Sequence, residues 1–128
     1  MQWFLVFFPT PENEFMINTP HYEVPKTTLA LLNQVYEVEH KLKRHGDPGN
    51  ALRNLDKIKD IFEDGGLFYD DPMGQEFKET RTDIEATISG VGTENLVVVE
   101  VLKPIIRAGK RDLSRVVQKG IVVVESKK

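Results

Sequence analysis

The pattern of apolar and polar side chains in residues 27–45 is that of an amphipathic helix. Thr27 or Thr28, just after Pro25, is the expected N-cap of this helix. Basic residues followed by Gly46 predict its C-terminal end, and the Gly-Asp-Pro-Gly sequence then predicts a turn. The apolar stripe consists of Leu29, Leu32, Val35, Tyr36 and Leu42.

A second helical pattern follows directly, in residues 51–64. Asn50 is the expected N-cap, and Gly65 with Gly66 is expected to end the helix. Because the connection is a short turn, the two helices are predicted to form an antiparallel hairpin. The second apolar stripe consists of Leu52, Leu55, Ile58, Ile61 and Phe62.

The hairpin carries more apolar surface than two helices can bury against each other, since each stripe meets only one neighbouring helix. The hairpin must therefore pack on a sheet or on a second copy of itself, and we predict a homodimer in which two hairpins form a four-helix bundle. The side chains expected at the dimer interface are Leu32, Tyr36, Leu52, Leu55, Ile61 and Phe62.

After Phe77 the apolar period changes to about two, which is typical of β-strands. Residues 81–88 alternate between apolar and polar side chains and predict a half-buried strand. Residues 96–102 are β-branched on both faces and predict an interior strand. Residues 113–126 predict either two short strands or one long strand bent at Gly120.

The predicted fold class is therefore α+β. It comprises an N-terminal segment over residues 1–26, the helical hairpin over residues 27–66, and a small, mainly antiparallel β domain over residues 67–128. The N-terminal segment contains an apolar run, residues 3–8, which is either a segment that docks on a partner or a buried first strand. This run is too short to cross a bilayer and follows no basic region, so neither a signal peptide nor a membrane association is expected.

The charge distribution is uneven along the chain. The 128 residues carry a net charge of −3, yet residues 103–128 contain eight basic and two acidic side chains. A basic patch attracts an acidic partner, either a protein surface or a nucleic acid. Nucleic acid is not the expected partner, because the seven Phe, three Tyr and one Trp all lie at or before Phe77 and leave no ring in this half for base stacking.

No catalytic or metal-binding constellation is recognisable. The absence of cysteine excludes disulfides and thiolate sites and agrees with the cytoplasm as the expected compartment. The histidines lack metal-ligand spacing, and no serine lies in a nucleophile elbow. We expect no enzyme activity, no cofactor and no metal site, although one acidic cluster without EF-hand spacing is present at Asp60, Glu63, Asp64, Asp70 and Asp71.

The stretch GGLFYDDPMGQEFKE, residues 65–79, joins the helical and the stranded halves. Its glycine pair ends the second helix, and Phe68 and Tyr69 are expected to anchor it under the sheet. The Asp71-Pro72 step directs the chain away from helical geometry. This stretch is interpreted as a hinge rather than as a pocket.

The order of two short helices, this joint and a compact β unit resembles the GrpE family of nucleotide exchange factors over residues 29–126. In the joint, the matching residues are Gly66, Phe68, Asp71 and Pro72. In the strands they are Val98, Glu100, Val101, Leu102, Arg115, Val116, Val117, Val122 and Val124. The chain departs from the family where MGQEFKETRTDIEA replaces a His-Glu-Ala motif and where KPII replaces a glycine-tyrosine pair.

This resemblance implies a co-chaperone-like adaptor that opens the nucleotide cleft of a DnaK-type chaperone and promotes ADP release. The residues expected to contact the partner are Lys103, Ile105, Ile106, Arg107 and Arg115. The alternative is a non-enzymatic, self-assembling structural or protein-interaction module unrelated to chaperones. In that case the alternating charges of residues 79–90 are a candidate recognition surface.

Overall fold

The structure, a computed structural model, describes residues 23–127. The interpretation of residues 3–8 as a docking segment or a first strand lies outside the described residues. Two helices are followed by six strands, so the α+β class is confirmed. The helices are α1 (Lys26–His45) and α2 (Ala51–Asp64). The strands are β1 (Leu67–Asp70), β2 (Ile84–Ser89), β3 (Leu96–Lys103), β4 (Ile105–Lys110), β5 (Leu113–Gln118) and β6 (Gly120–Ser126).

The chain divides into two compact units. The described part of the first unit comprises residues 23–68 and 109–113, and that of the second comprises residues 69–108 and 114–127. The first unit therefore contains the helical hairpin and the turn between β4 and β5. The second contains the sheet formed by β2, β3 and β6.

Both helices begin where the sequence predicts, but with different caps. The first turn of α1 is held by the Pro25 carbonyl, which accepts hydrogen bonds from the N–H groups of Thr28 and Leu29. Thr27 and Thr28 lie inside the helix, so the predicted threonine cap is wrong. Pro25 has a ψ of 142°, outside helical geometry, and the residue before a proline is disfavoured in the helical region, so α1 starts immediately after Pro25.

The first turn of α2 is capped by a side chain from within the preceding turn. The Asp47 carboxylate accepts hydrogen bonds from the N–H groups of Ala51 at 2.6 Å and Leu52 at 2.9 Å. Asn50 occupies the N-cap position, but its φ of 57° is left-handed and its side chain makes no capping bond. Asp47 therefore caps the backbone N–H groups at the start of α2, the role that was predicted for Asn50.

The buried side chains of the hairpin are apolar apart from Thr28 and Glu39. Leu32, Val35, Tyr36 and Leu55 are buried, as the helical periodicity predicts. The buried carboxylate of Glu39 accepts a hydrogen bond from Lys59 Nζ at 2.9 Å. This contact joins residues 20 positions apart across the turn and so links the two helices.

The sheet of the second unit has the strand order β2-β6-β3, so β6 is central. β6 pairs with β2 in parallel and with β3 antiparallel, which makes the sheet mixed rather than purely antiparallel. The prediction that residues 96–102 form an interior strand is wrong. Among residues 23–127, the edge of β3 that faces away from β6 meets only the short segment of residues 74–77, through backbone hydrogen bonds from Gly74 and Phe77 and to Gln75.

The other sheet has the order β1-β4-β5. Its strands β1 and β4 were not predicted, because the sequence of β1 was interpreted as part of a hinge. Phe68 and Tyr69 are buried as expected, but they lie within strand β1. The core of the second unit is aliphatic and consists of Ile84, Leu96, Val98, Ile105, Val122 and Val124.

Replacement of Asp47 by alanine is expected to lower the free energy of unfolding by about 1 kcal/mol, because two helix N–H groups lose their acceptor. Urea unfolding followed by circular dichroism measures this change. Asn50→Gly is the control, with an expected change of only a few tenths of a kcal/mol. Equal destabilisation by the two substitutions would contradict the assignment of Asp47 as the capping residue.

Candidate protein-docking surface

The five residues predicted to contact a partner do not form one exposed surface. Ile105 and Ile106 are only 2% and 0% exposed, so their side chains are not available to a partner. Their assignment to the docking surface is therefore wrong. Strand β4 places both of them in the interior, and Ile105 belongs to the aliphatic core of the second unit.

Arg107 lies on the same strand but is engaged by carboxylates of its own chain. Its Nε donates to Asp70 Oδ2 at 2.8 Å, and one terminal nitrogen donates to Asp83 Oδ2 at 3.2 Å. These carboxylates lie at the end of β1 and just before β2, so one guanidinium joins both ends of the loop between those strands. Arg107 is half-buried, and its ion pairs hold the two ends of this loop together.

Arg81 extends the same network within the loop. It forms a two-point ion pair with the Asp83 carboxylate, with both nitrogen–oxygen distances at 3.0 Å. It also donates to the side-chain oxygen of Gln75 and to the Glu76 carbonyl. The hydrogen bonds from Arg81, followed by the charges of Arg81 and Arg107, hold the pKa of Asp83 below its usual value, although partial burial acts in the opposite direction.

In the first unit, a second arginine of the basic C-terminal region is also paired internally. Arg111, in the turn after β4, makes two hydrogen bonds to the Glu63 carboxylate, at 3.0 and 3.1 Å. Its guanidinium carbon lies 4.2 Å from the centre of the Phe68 ring, a cation–π geometry. The hydrogen bond from Arg111 is the main cause that lowers the pKa of Glu63.

Lys103 and Arg115 are the two predicted contact residues whose side chains are exposed. Lys103 ends strand β3 and lies opposite Ile121 on the central strand. Arg115 lies on β5, in the other sheet. Of the five predicted residues, Lys103 is therefore the one that lies on the solvent-exposed face of the β2-β6-β3 sheet.

That face can be reconstructed from the strand register. Val122 and Val124 of β6 are buried in the core, so Ile121, Val123 and Glu125 point to the opposite side of the sheet. We call this side the outer face. It contains three rows across β2, β6 and β3: Glu85, Ile121 and Lys103; Thr87, Val123 and Glu100; Ser89, Glu125 and Val97.

The outer face is apolar at its centre and polar around it. Ile121, Val123 and Val97 are half-buried by their neighbours, whereas the polar side chains of the three rows are exposed. The rows of this face are brought together by the strand order. A local sequence pattern does not reveal strand order, so the face was not predicted from the sequence. The alternation in residues 79–90, raised as a recognition surface, does contribute Glu85 and Thr87.

Two further properties of the described residues bear on the candidate surface. Within residues 23–127, no three His, Asp or Glu side chains are grouped as they would be to hold a metal ion. In the same part of the chain, neither helix has the length and apolarity needed to span a bilayer. Comparisons with protein-family models, with curated proteins and with solved structures give no match.

The ion pairs of Asp83 predict a pH-dependent contribution to stability. Since the pKa of Asp83 is lowered in the folded state, its contribution is present above the unfolded pKa of about 3.9 and is lost as the pH falls through the lower, folded value. The difference in unfolding free energy between the natural protein and Asp83→Asn should therefore be largest near neutral pH and shrink below about pH 4.

Urea unfolding at a series of pH values measures this difference. The control is Asp56→Asn, an exposed position on α2, which is expected to change the unfolding free energy by no more than about 0.5 kcal/mol. A difference for Asp83→Asn that stays constant between neutral and acidic pH would show that its ion pairs do not stabilise the folded state.

Proposed function

We propose that this protein is a non-catalytic, dimeric adaptor that resembles a nucleotide exchange factor and acts on a DnaK-type chaperone. The observation that carries the proposal is the division of the chain. A helical hairpin with exposed apolar side chains belongs to one unit, and an aliphatic β core with an exposed sheet face forms the other. Assembly and docking can thus be assigned to different units, in the order that the resemblance to the GrpE family implies.

The proposed mechanism requires no catalytic residue. An adaptor that binds the open form of a nucleotide cleft more tightly than the closed form shifts the population towards the open form. ADP then leaves faster, and the size of the effect is set by the difference between the two affinities. A rigid docking surface is sufficient for this role, and an aliphatic core with paired strands supports such a surface.

The proposed homodimer requires a revised interface. Leu32, Tyr36 and Leu55 are buried within their own hairpin, so they cannot be the residues that a second subunit covers. Leu52 and Phe62 are half-buried, and of the six predicted interface residues only Ile61 is exposed, at 65%. The exposed apolar side chains of the hairpin are instead Leu31, Val38, Ile58 and Ile61.

These four side chains share one relation to the hairpin. Leu31 and Val38 each immediately precede a buried residue of α1, and they are two helical turns apart. Ile58 and Ile61 have the same offset from the inward-facing stripe of α2. In two antiparallel helices, side chains one position before the inward-facing stripe point to the same side of the hairpin. Both pairs therefore lie on one side, which is the geometry that a four-helix bundle requires.

A charge at Ile61 is expected to separate the subunits without unfolding them. In Ile61→Asp, an exposed apolar contact is replaced by a carboxylate that would be buried without a partner in a dimer. Light scattering should then return the monomer mass at tens of micromolar protein, while circular dichroism stays unchanged. The matched variant Leu55→Asp should unfold the hairpin instead, and a monomeric natural protein would refute the dimer.

The proposed exchange activity is tested by the release of a fluorescent ADP analogue from a DnaK-type chaperone. Addition of the protein is expected to accelerate release at least about tenfold, which corresponds to a differential affinity of about 1.4 kcal/mol between the two cleft states. The monomeric Ile61→Asp variant separates docking from assembly in the same assay. A folded, dimeric protein that leaves the release rate unchanged would contradict the exchange role and favour an interaction module unrelated to chaperones.

A further inference from the structure

Strand β3 contains two irregularities that add apolar side chains to the outer face. Val98 lies opposite Val124, and the next paired residue is Glu100 opposite Val123, so Val99 is an extra residue in the ladder. The second irregularity lies between Val101 and Lys103 and makes Leu102 the extra residue. Such bulges re-aim side chains and are common at the edges of sheets.

Both extra residues are exposed. Val99 is 43% exposed and Leu102 is 55% exposed, although the paired valines around them are buried or half-buried. They lie beside Glu100 and Lys103, the β3 members of the outer face. The bulges therefore widen the apolar centre formed by Ile121 and Val123 towards the β3 edge.

The charges around this apolar centre are mainly negative. Glu85, Glu100 and Glu125 are contributed by three different strands, and Lys103 is the single basic side chain in the three rows. Lys119 and Lys127 lie one residue beyond the two ends of β6. The negative charge thus surrounds Val123, and the positive charge lies at the margin.

We infer that the outer face, with Val99 and Leu102, binds a protein segment whose aliphatic side chains are flanked by lysine or arginine. Aliphatic side chains would cover Val99, Leu102 and Val123, and cationic groups would pair with the surrounding glutamates. The inference rests on the proposed docking role of the second unit, but it does not depend on the partner being a chaperone. It reverses the sign of the charge expected from the sequence, which pointed to an acidic partner.

Charge complementarity favours this partner over the other two occupants of such a face. A second copy would bring its own three glutamates against those of the first, which is repulsive. Residues 1–22 of the same chain contain Glu12 and Glu14 but neither lysine nor arginine. A separate, cationic partner segment is the occupant that the charges fit.

The test uses two short synthetic peptides in which valine alternates with lysine in one and with glutamate in the other. Binding to the full chain is followed by the amide chemical shifts in heteronuclear NMR. We expect the lysine peptide to bind, the glutamate peptide not to bind, and the shifts to map to β3 and β6. Added salt should weaken the interaction, because exposed charges are screened beyond a Debye length of about 8 Å at physiological ionic strength.

Two pairs of matched variants locate the contact. Glu100→Lys should weaken binding of the lysine peptide about tenfold, whereas Glu79→Lys, an exposed position with the same charge change, should have an effect below about twofold. Leu102→Ser should weaken binding to a similar extent, and Leu113→Ser, at an exposed leucine of β5, should not. All four positions are exposed, so the fold is expected to be retained.

Several results would overturn the inference. These are equal binding of the two peptides, shifts confined to other elements, or equal effects of test and control variants. A change in molecular mass caused by Glu100→Lys would assign the face to a second copy, and appearance of the binding only after removal of residues 1–22 would assign it to the N-terminal segment.

The same variants separate this inference from the proposed function. If the lysine peptide binds the outer face but ADP release from the chaperone is not accelerated, the exchange role fails and the inference stands. If release is accelerated equally by the natural protein, Glu100→Lys and Leu102→Ser, and the lysine peptide does not bind the outer face, the exchange role stands and the inference fails.

Discussion

The burial of Val122 and Val124 in the central strand β6 is the constraint on which the second unit depends. Both side chains are fully buried, and each is flanked by residues of β2 and β3. Because side chains alternate along a strand, this burial forces Ile121 and Val123 to the outer face. Gly120 permits the arrangement, since a Cβ at this position would lie 2.9 Å from Ile105 Cγ1, closer than two carbon atoms can pack.

Internal ion pairs decide which of the basic side chains remain available to a partner. Arg107 and Arg111 hold carboxylates that are 24 to 48 residues away in the sequence, and Arg81 holds its near neighbour Asp83. A paired guanidinium presents little uncompensated charge to an approaching protein. A count of basic residues along the chain therefore overestimates the positive charge of the surface, and the outer face has more carboxylates than ammonium groups.

The proposed adaptor role is consistent with a division of labour between the two units. The hairpin is stabilised internally by its aliphatic stripe and by the Glu39–Lys59 contact, and it still exposes four large apolar side chains. In the second unit, one side of the sheet packs into the aliphatic core, and the other side is the exposed outer face. Neither role depends on a precisely placed reactive group, since assembly and docking both follow from complementary surfaces.

The amino-acid sequence by itself determined the two helices, because helical hydrogen bonds join residues only four positions apart. The predicted ranges, 27–45 and 51–64, agree with Lys26–His45 and Ala51–Asp64 to within one residue. Residues 113–118 and 121–126, the two short strands raised as one possibility, were also recognisable from their β-branched side chains. Local chemistry was sufficient for each of these elements.

Only the tertiary structure decided which strand is central, which isoleucines are buried and which arginines are paired. The sequences of β1 and β4 have no clear alternation, because consecutive side chains on both faces of these strands are buried. For the candidate surface, the sequence identified Lys103 and the alternation that includes Glu85. Only the pairing register of the three strands shows that these residues share one face with Val99, Glu100 and Val123, and no local sequence pattern encodes that register.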